Sequence, residues 1–389
     1  MNRKNILFAS LVLLIASGST AQVPCSGTIL PNATLFVNWP QFQYDSAHTG
    51  CNPYESVLKP SNVWDISMKW KDAAGEASYT SAVVADGMVY VSLTQCCHYI
   101  GRYVYALNAT TGEGVWGYGD EAHTLPFSSP VVAKGIVYFG SQDNNLYALD
   151  AKTGAFLWMY PTRGVVLTPT VADGVVYIGS GDNHVYALNA ATGALIWQYS
   201  TGVGASVAVA NGVVYVGSDQ IYALDASTGA LIWQYPKGSG YSPSVAGGKV
   251  YVVSDQLYAL NATTGALVWN YPATGTGTPA VGTGVVYLGS SDGKINALNA
   301  ATGALIWQYQ APPQDRQPSS PVVANGVVYV GYNDYFRSLD AGTGTLLDTM
   351  TGSDQGWNSA TVANGMVFAS LAGGLENSGA LYAFWVHGQ

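Results

Sequence analysis

The chain has 389 residues, of which 10% are charged and 48% hydrophobic, and its formal net charge is −9. An acidic balance repels phosphate backbones, so it argues against nucleic acid as a partner. Glycine, valine, alanine, threonine and tyrosine dominate, which is typical of β-rich proteins.

Residues 1–21 resemble an export signal. Arg3 and Lys4 are followed by an apolar run that is too short to span a bilayer, and Ala21 ends a stretch of small residues suited to cleavage. Cleavage would remove two of the 14 basic residues and leave 12 against 23 acidic ones. Cys25 lacks a lipid-attachment context. We therefore expect an exported chain, periplasmic or extracellular, without a lipid anchor or transmembrane segment.

A repeat accounts for most of the remaining sequence. A "YAL"-like element ends at eight positions spaced 36 to 45 residues apart: Leu107, Leu149, Leu188, Leu224, Leu260, Leu298, Leu339 and Phe384. Units of about 40 residues have the size of a four-stranded propeller blade. The sequence therefore predicts an all-β, eight-bladed propeller over residues 62–389, preceded by an irregular lead-in over 22–61.

Each unit divides into four short strands, A to D. Strands A and B are joined by two residues of which the second is always glycine, as in Asn211-Gly212, which predicts a type I′ hairpin. A Thr-Gly turn precedes strand D. Strand D carries tryptophan in seven units, at Trp70, Trp116, Trp158, Trp197, Trp233, Trp269 and Trp307, and Asp348 replaces it in the other. We expect the tryptophans to dock the blades, and Asp348 to mark an exposed or rebuilt blade edge.

The two ends of the repeat region complement each other. The last unit stops after strand C, whereas residues 66–72 form a strand D with no strands before it. We therefore predict that the two segments pair in one blade, which would close the ring and remove its free edges.

The motif Tyr-Ala-Leu-Asn/Asp-Ala-x-Thr-Gly-x-x-x-Trp, seen as "YALNAATGALIW" (186–197) and "YALDASTGALIW" (222–233), resembles the pyrroloquinoline quinone (PQQ) repeat family. The lead-in "WPQFQYDSAHTG" (39–50) is similar to the segment that precedes many such propellers. The resemblance implies either a PQQ- and calcium-dependent alcohol dehydrogenase or a non-catalytic scaffold. Because the motif docks blades, it identifies the fold rather than the function.

The strand order places the A–B and C–D turns on one face and the B–C and D–A loops on the other, which we call the variable face. Unusual polar residues concentrate there, and function tends to reside in such loops. The candidate ligand-face residues are Cys96, Cys97, His98, Asp120, Glu121, His123, Arg163, Tyr241, Asp315, Arg316, Asp354, Trp357, Glu376 and Asn377. They could hold a cation or act as acid and base, but their spacing identifies no motif. Asp45 and His48, in the lead-in, are expected to fix that segment by hydrogen bonds.

The adjacent cysteines Cys96 and Cys97 have three interpretations. One is a structural disulfide in which Cys25 or Cys51 ties the lead-in to this loop, because four cysteines in an exported chain favour disulfides. The second is an isolated vicinal ring. The third, implied by the family resemblance, is a vicinal pair in contact with PQQ.

Three functions stay open. The leading hypothesis is an exported, non-catalytic binding or assembly scaffold in the cell envelope or outside the cell, because blades and lead-in consume nearly the whole mature chain. The second is a compact dehydrogenase with PQQ and calcium. The third is a carbohydrate- or peptide-binding disc that uses Tyr241 and Trp357 as stacking platforms. The expected partner is a protein or small-molecule ligand on the variable face.

Overall fold

A computed structural model describes residues 38–73, 79–93, 104–119, 126, 128–315, 317–351, 356–371 and 379–386. Eight sheets follow one another around a central axis, and strand A contacts strand A of the next sheet at seven of the eight junctions. This architecture confirms the predicted eight-bladed propeller.

Blades 1 to 4 each contain four strands. Blade 1 has β3 (Val83–Ala85), β4 (Met88–Ser92), β5 (Val104–Asn108) and β6 (Gly114–Tyr118). Blade 2 has β7 (Val131–Ala133), β8 (Ile136–Gly140), β9 (Asn145–Asp150) and β10 (Phe156–Pro161). Blade 3 has β11 (Thr170–Ala172), β12 (Val175–Ser180), β13 (His184–Asn189) and β14 (Leu195–Ser200). Blade 4 has β15 (Ser206–Ala210), β16 (Val213–Gly217), β17 (Ile221–Asp225) and β18 (Leu231–Tyr235).

Blades 5 to 8 repeat this order, with additions from the lead-in. Blade 5 has β19 (Ser244–Ala246), β20 (Lys249–Val253), β21 (Leu257–Asn261) and β22 (Leu267–Tyr271). Blade 6 has β23 (Ala280–Gly282), β24 (Val285–Gly289), β25 (Lys294–Asn299) and β26 (Leu305–Gln310). Blade 7 has β27 (Val322–Ala324), β28 (Val327–Gly331), β29 (Tyr335–Asp340) and β30 (Leu346–Thr351), and β1 (Cys51–Asn52) adds to β27 in parallel. Blade 8 has β31 (Thr361–Ala363), β32 (Met366–Ser370), β33 (Ala380–Val386) and β2 (Ile66–Ala73), which follows the 3-10 turn η1 (Val63–Asp65).

Blade 8 joins the two ends of the repeat region. Strand β2 pairs antiparallel with β33, from Ile66 opposite Val386 to Ala73 opposite Ala380. The innermost strand of blade 8, β31, also contacts β3 of blade 1. The ring is therefore closed by main-chain pairing within one blade.

The A–B hairpins have the predicted geometry. Both central residues have positive φ in each blade, for example 52° at Asn211 and 74° at Gly212. Type I′ turns require this conformation, and Asn, Asp and Gly tolerate it best.

A recurring contact joins each blade to the next. In blade 2, the indole Nε1 of Trp158 donates to the carbonyl of Ala190 in blade 3 at 3.2 Å, and the hydroxyl of Tyr138 donates to the same oxygen at 2.9 Å. The Trp158 ring lies against Gly193, where a Cβ atom would stand 2.6 Å from it. The other six strand-D tryptophans also donate to an alanine carbonyl of the following blade.

Within the described ranges, we find no helix with the length and apolar character needed to cross a membrane.

Candidate functional site

The lead-in forms a ring inside the central channel. We call residues 39–52 the lead-in ring. They hydrogen-bond in chain order to the innermost strand of every blade. The partner is always the valine that comes just before the last residue of that strand. The contacts, between 2.6 and 3.0 Å, run from Trp39 to Val84, Pro40 to Val132, Gln41 to Val171, Ser46 to Val209, Ala47 to Val245, Thr49 to Val281, Gly50 to Val323 and Asn52 to Val362.

The two polar residues that the sequence singled out in this segment hold its shape. The Asp45 carboxylate accepts from the amide and the hydroxyl of Thr49 at 2.9 and 2.8 Å. His48 Nε2 lies 3.1 Å from the Thr170 hydroxyl of blade 3. Burial disfavours both charged forms, so it raises the pKa of Asp45 to about 6 and lowers the pKa of His48 to about 4. The predicted hydrogen-bonding role of both residues is confirmed.

Above the lead-in ring the channel widens into a funnel that opens on the variable face. It consists of cavities of about 510 and 250 Å³. Both cavities are lined by Phe42 of the lead-in ring, by Tyr241 and by two hydroxyl residues, Thr276 and Ser320. Because the lead-in ring contacts all eight blades below, the funnel has a hydrogen-bonded base.

Each blade carries one hydroxyl side chain four residues before the end of strand A, and seven of the eight line the funnel, all except Ser129. We call this set the hydroxyl ring: Ser81, Ser129, Thr168, Ser206, Ser242, Thr278, Ser320 and Ser359. The Ser320 hydroxyl accepts from the backbone amide of Thr278 at 3.0 Å. For the other members, the described part of the chain supplies no hydrogen-bond partner, although Thr278 is only 2% exposed and Ser359 8%. The unpaired hydroxyls of this ring, including the buried ones of Thr278 and Ser359, are therefore available to a ligand.

Most of the predicted ligand-face residues lie outside the described residues. They are Cys96, Cys97, His98, Asp120, Glu121, His123, Arg316, Asp354, Glu376 and Asn377. Cys51 is disulfide-bonded, and its partner cysteine also lies outside the described ranges, so the connectivity stays a prediction.

The remaining four predicted residues are described and have different environments. Arg163 is exposed, and its backbone amide donates to Asp182. Tyr241 is 39% exposed and lines both cavities. Trp357 lines the larger cavity but is only 5% exposed, because its ring packs against Phe336 and Tyr382. Of the two expected stacking platforms, Tyr241 is therefore open and Trp357 is part of the core.

Asp315 is buried, although the sequence analysis placed it among the candidate ligand-face residues. Its carboxylate pairs with the guanidinium of Arg337, and both side chains are buried, at 0% and 4% exposure. Arg337 also lies over the rings of Tyr332 and Tyr335. This ion pair ties the loop before blade 7, which lines the funnel, to strand β29.

The described part of the funnel does not fit a calcium–quinone site. Calcium prefers six to eight oxygen ligands, usually including carboxylates. The described residues that line either of the two cavities carry hydroxyl, amide and apolar groups only. Among the described residues, no group of three or more His, Cys, Asp or Glu side chains could hold a metal.

Sequence reasoning missed the hydroxyl ring and Phe42. The ring has a signal, since aligning the eight strands on their A–B turns places Ser or Thr at one register in every unit. Phe42 has no repeat register because it belongs to the unrepeated lead-in, and its signal is its fixed place in the lead-in motif that begins at Trp39.

The fold and its repeated contacts define a PQQ-like propeller of the quinoprotein alcohol dehydrogenase-like superfamily. The family model described as outer membrane protein assembly factor BamB matches residues 65–180, 101–204 and 181–384. The chain therefore belongs to this family.

Individual relatives are more distant. The chain is 30% identical over 141 residues to a quinohemoprotein alcohol dehydrogenase of Comamonas testosteroni, a match that covers 33% of this chain and 19% of that enzyme. A quinoprotein ethanol dehydrogenase of Pseudomonas putida is 30% identical over 26% of this chain and 17% of its own length. The chain thus spans about a fifth of the length of the curated relatives it matches.

Two solved structures show the same fold. BamB from Moraxella catarrhalis superimposes with a TM-score of 0.68 at 19% identity, over 82% of this chain and 99% of that one. The C. testosteroni quinohemoprotein alcohol dehydrogenase gives a TM-score of 0.72 at 17% identity, over 91% and 81% of the two chains.

Proposed function

We propose that this protein is a non-catalytic binding or assembly scaffold, exported to the cell envelope or beyond, that engages its partner on the variable face. The observation that carries the proposal is the chemistry of the funnel, whose described polar groups are neutral hydroxyls and amides. Such groups hydrogen-bond to a ligand but do not titrate near neutral pH, as general acid–base catalysis requires. The family match to an assembly factor supports the same function.

The lead-in ring suits a scaffold because it stiffens the disc. Its hydrogen bonds to eight blades hold the innermost strands at fixed positions around the axis. A rigid support allows variable loops to present a binding surface without losing conformational entropy on binding.

The alternative function is a compact PQQ- and calcium-dependent dehydrogenase, which the partial likeness to dehydrogenases favours. If PQQ bound in the funnel, it would supply a quinone that accepts hydride. Phe42 and Tyr241 could then contact its rings. Any calcium carboxylates would have to come from the loops that contain Asp120, Glu121, Asp354 and Glu376, and these residues lie outside the described ranges.

One experiment separates the two functions. Oxidised mature protein is incubated with PQQ and calcium, unbound cofactor is removed, and the absorbance spectrum and dye reduction with simple alcohols are recorded. We expect no retained quinone and no dye reduction. Quinone retained at one per chain, with alcohol-dependent dye reduction, would reject the scaffold function.

A second experiment tests the binding face. A photo-crosslinking amino acid replaces Tyr241 on the variable face or, as a matched control, Thr263 on the C–D turn face. We expect the first position to give a discrete adduct in intact cells and the second to give none. Equal labelling from both faces would contradict the assignment of the variable face.

A further inference from the structure

We propose that the funnel is a binding site for an uncharged saccharide. This inference deepens the proposed function, since it names the ligand class of a binding site on the variable face. It rests on three observations: a buried donor without a partner among the described residues, a ring of hydroxyl side chains of which Thr278 and Ser359 are buried, and an open aromatic side chain.

The first observation is the indole of Trp357. Its Nε1 is buried and has no hydrogen-bond partner among the described residues, although Trp357 lines the larger cavity. Indole nitrogen is only a donor, so it requires an acceptor. A buried donor left unpaired costs about 1–3 kcal/mol, and a ligand oxygen in the cavity would recover that cost once the Trp357 ring turned its Nε1 toward it.

The second observation is the hydroxyl ring. Thr278 lines the smaller cavity and Ser359 the larger one. Both are more than nine-tenths buried, and the described residues supply no partner for either hydroxyl. A hydroxyl both donates and accepts, as do the hydroxyls of a sugar. A circle of such groups therefore matches a ligand that presents hydroxyls around its rim.

The third observation is the pair of aromatic side chains that line both cavities, Tyr241 and Phe42. Tyr241 is 39% exposed at the junction of the two cavities, and Phe42 lines both. Aromatic rings offer a large, rigid, apolar surface to a ligand. The flat C–H face of a pyranose can pack against such a surface while its hydroxyls reach the wall.

Charge and size narrow the ligand class. No described residue that lines either cavity is charged, so neither an anion nor a cation would be neutralised there. Burying an unpaired charge is costly, which disfavours phosphates and ionised peptides. The larger cavity, about 510 Å³, lies within the range of roughly 300–1,000 Å³ that is typical of small-molecule sites.

The test uses the full mature protein and four neutral disaccharide probes: maltose, cellobiose, lactose and N,N′-diacetylchitobiose. Saturation-transfer NMR detects binding, and calorimetry measures the affinity of any probe that responds. We expect at least one probe to bind. Tyr241→Ala should weaken that binding by about 10-fold or more through the lost ring contact, and Thr278→Val by about 3- to 10-fold through one lost hydrogen bond.

Matched controls are Tyr54→Ala, an exposed tyrosine of the lead-in, and Thr263→Val, an exposed threonine on the opposite face. Both should leave affinity within about 1.5-fold of the parent, as expected of sites with no shared partner. Trp357→Phe should weaken binding while circular dichroism shows a folded propeller. If Trp357→Phe does not fold, the Tyr241 and Thr278 variants decide the question.

Two results would overturn the saccharide inference: no saturation transfer to any of the probes, or binding that the Tyr241 and Thr278 variants leave unchanged. Either result with retained crosslinking at Tyr241 would reject the ligand class and leave the scaffold function standing. Retained PQQ with dye reduction would reject the scaffold function itself.

Discussion

The shared carbonyl between neighbouring blades leads to a quantitative prediction. In the contact between blades 2 and 3, Tyr138 and Trp158 both donate to the oxygen of Ala190, and the three residues are buried. A single substitution to phenylalanine leaves the oxygen with one donor, but the double substitution leaves it with none. We therefore expect the two substitutions to be more than additive.

The magnitudes follow from hydrogen-bond energetics. Tyr138→Phe should lower the free energy of unfolding by about 0.5–1.5 kcal/mol, and Trp158→Phe by somewhat more because ring area is also lost. The double variant should lose about 1–2 kcal/mol beyond the sum, because a buried carbonyl without a donor carries its full desolvation cost.

The sign of the coupling tests the reasoning. The two rings also touch, with centroids 5.7 Å apart. If that contact dominated, Tyr138→Phe, which keeps the ring, would cost little, and the double variant would lose no more than the sum of the two single variants.

Urea unfolding followed by tryptophan fluorescence supplies the four free energies of the cycle. The control cycle combines Tyr138→Phe with Trp233→Phe, which donates to Ala262 in another interface, and should be additive within about 0.5 kcal/mol. A less-than-additive Tyr138–Trp158 pair would refute the shared-acceptor argument.

Three further predictions concern other parts of the disc. Asp315→Ala should lower the free energy of unfolding, measured by urea titration, by about 3–5 kcal/mol, because it leaves the Arg337 charge buried and unpaired. The double change Asp315→Leu with Arg337→Met, which removes both charges, should cost far less in the same measurement. Asn52→Ala should cost about 1–2 kcal/mol, because the Asn52 amide bonds Val362 at 2.7 Å; an unchanged urea midpoint would count against a stabilising lead-in ring. His48 favours its neutral form, with its pKa lowered from 6.5 to about 4, so its contribution to stability is complete above pH 6.5 and falls by about 3 kcal/mol on acidification to pH 4. His48→Gln should remove that loss. The free energy of unfolding of the variant minus that of the parent should therefore rise as the pH falls from 6.5 to about 4. A difference that does not change with pH would disprove the assignment.

The sequence predicted the fold because the repeat restates one set of contacts seven times around eight blades. The tryptophan of strand D, the Thr-Gly turn and the alanine that follows strand C are the parts of a single interface, as Trp158, Gly193 and Ala190 show. Local rules also sufficed for the A–B hairpins, since positive φ at two adjacent residues restricts the choice of amino acid.

The site was less predictable, because its members come from different blades. The hydroxyl ring is visible in the sequence only after the strands are aligned, and nothing local shows that its serines and threonines face one funnel. Asp315 was predicted to be a ligand-face residue, but its partner Arg337 lies 22 positions away on strand β29. Pairing of that kind depends on how the chain packs and not on spacing.

By itself, the sequence determined the number of blades, their internal strand order and their hairpin turns, since each depends on contacts that recur at short range. Only the tertiary structure decided the path of the lead-in ring, because its hydrogen bonds go mainly to the main chain of valines spread over the whole propeller. It also explains Asp348. Each strand-D tryptophan docks on the C–D turn of the next blade, but blade 8 is assembled from both chain ends and has no such turn, so η1 packs beside β30 instead.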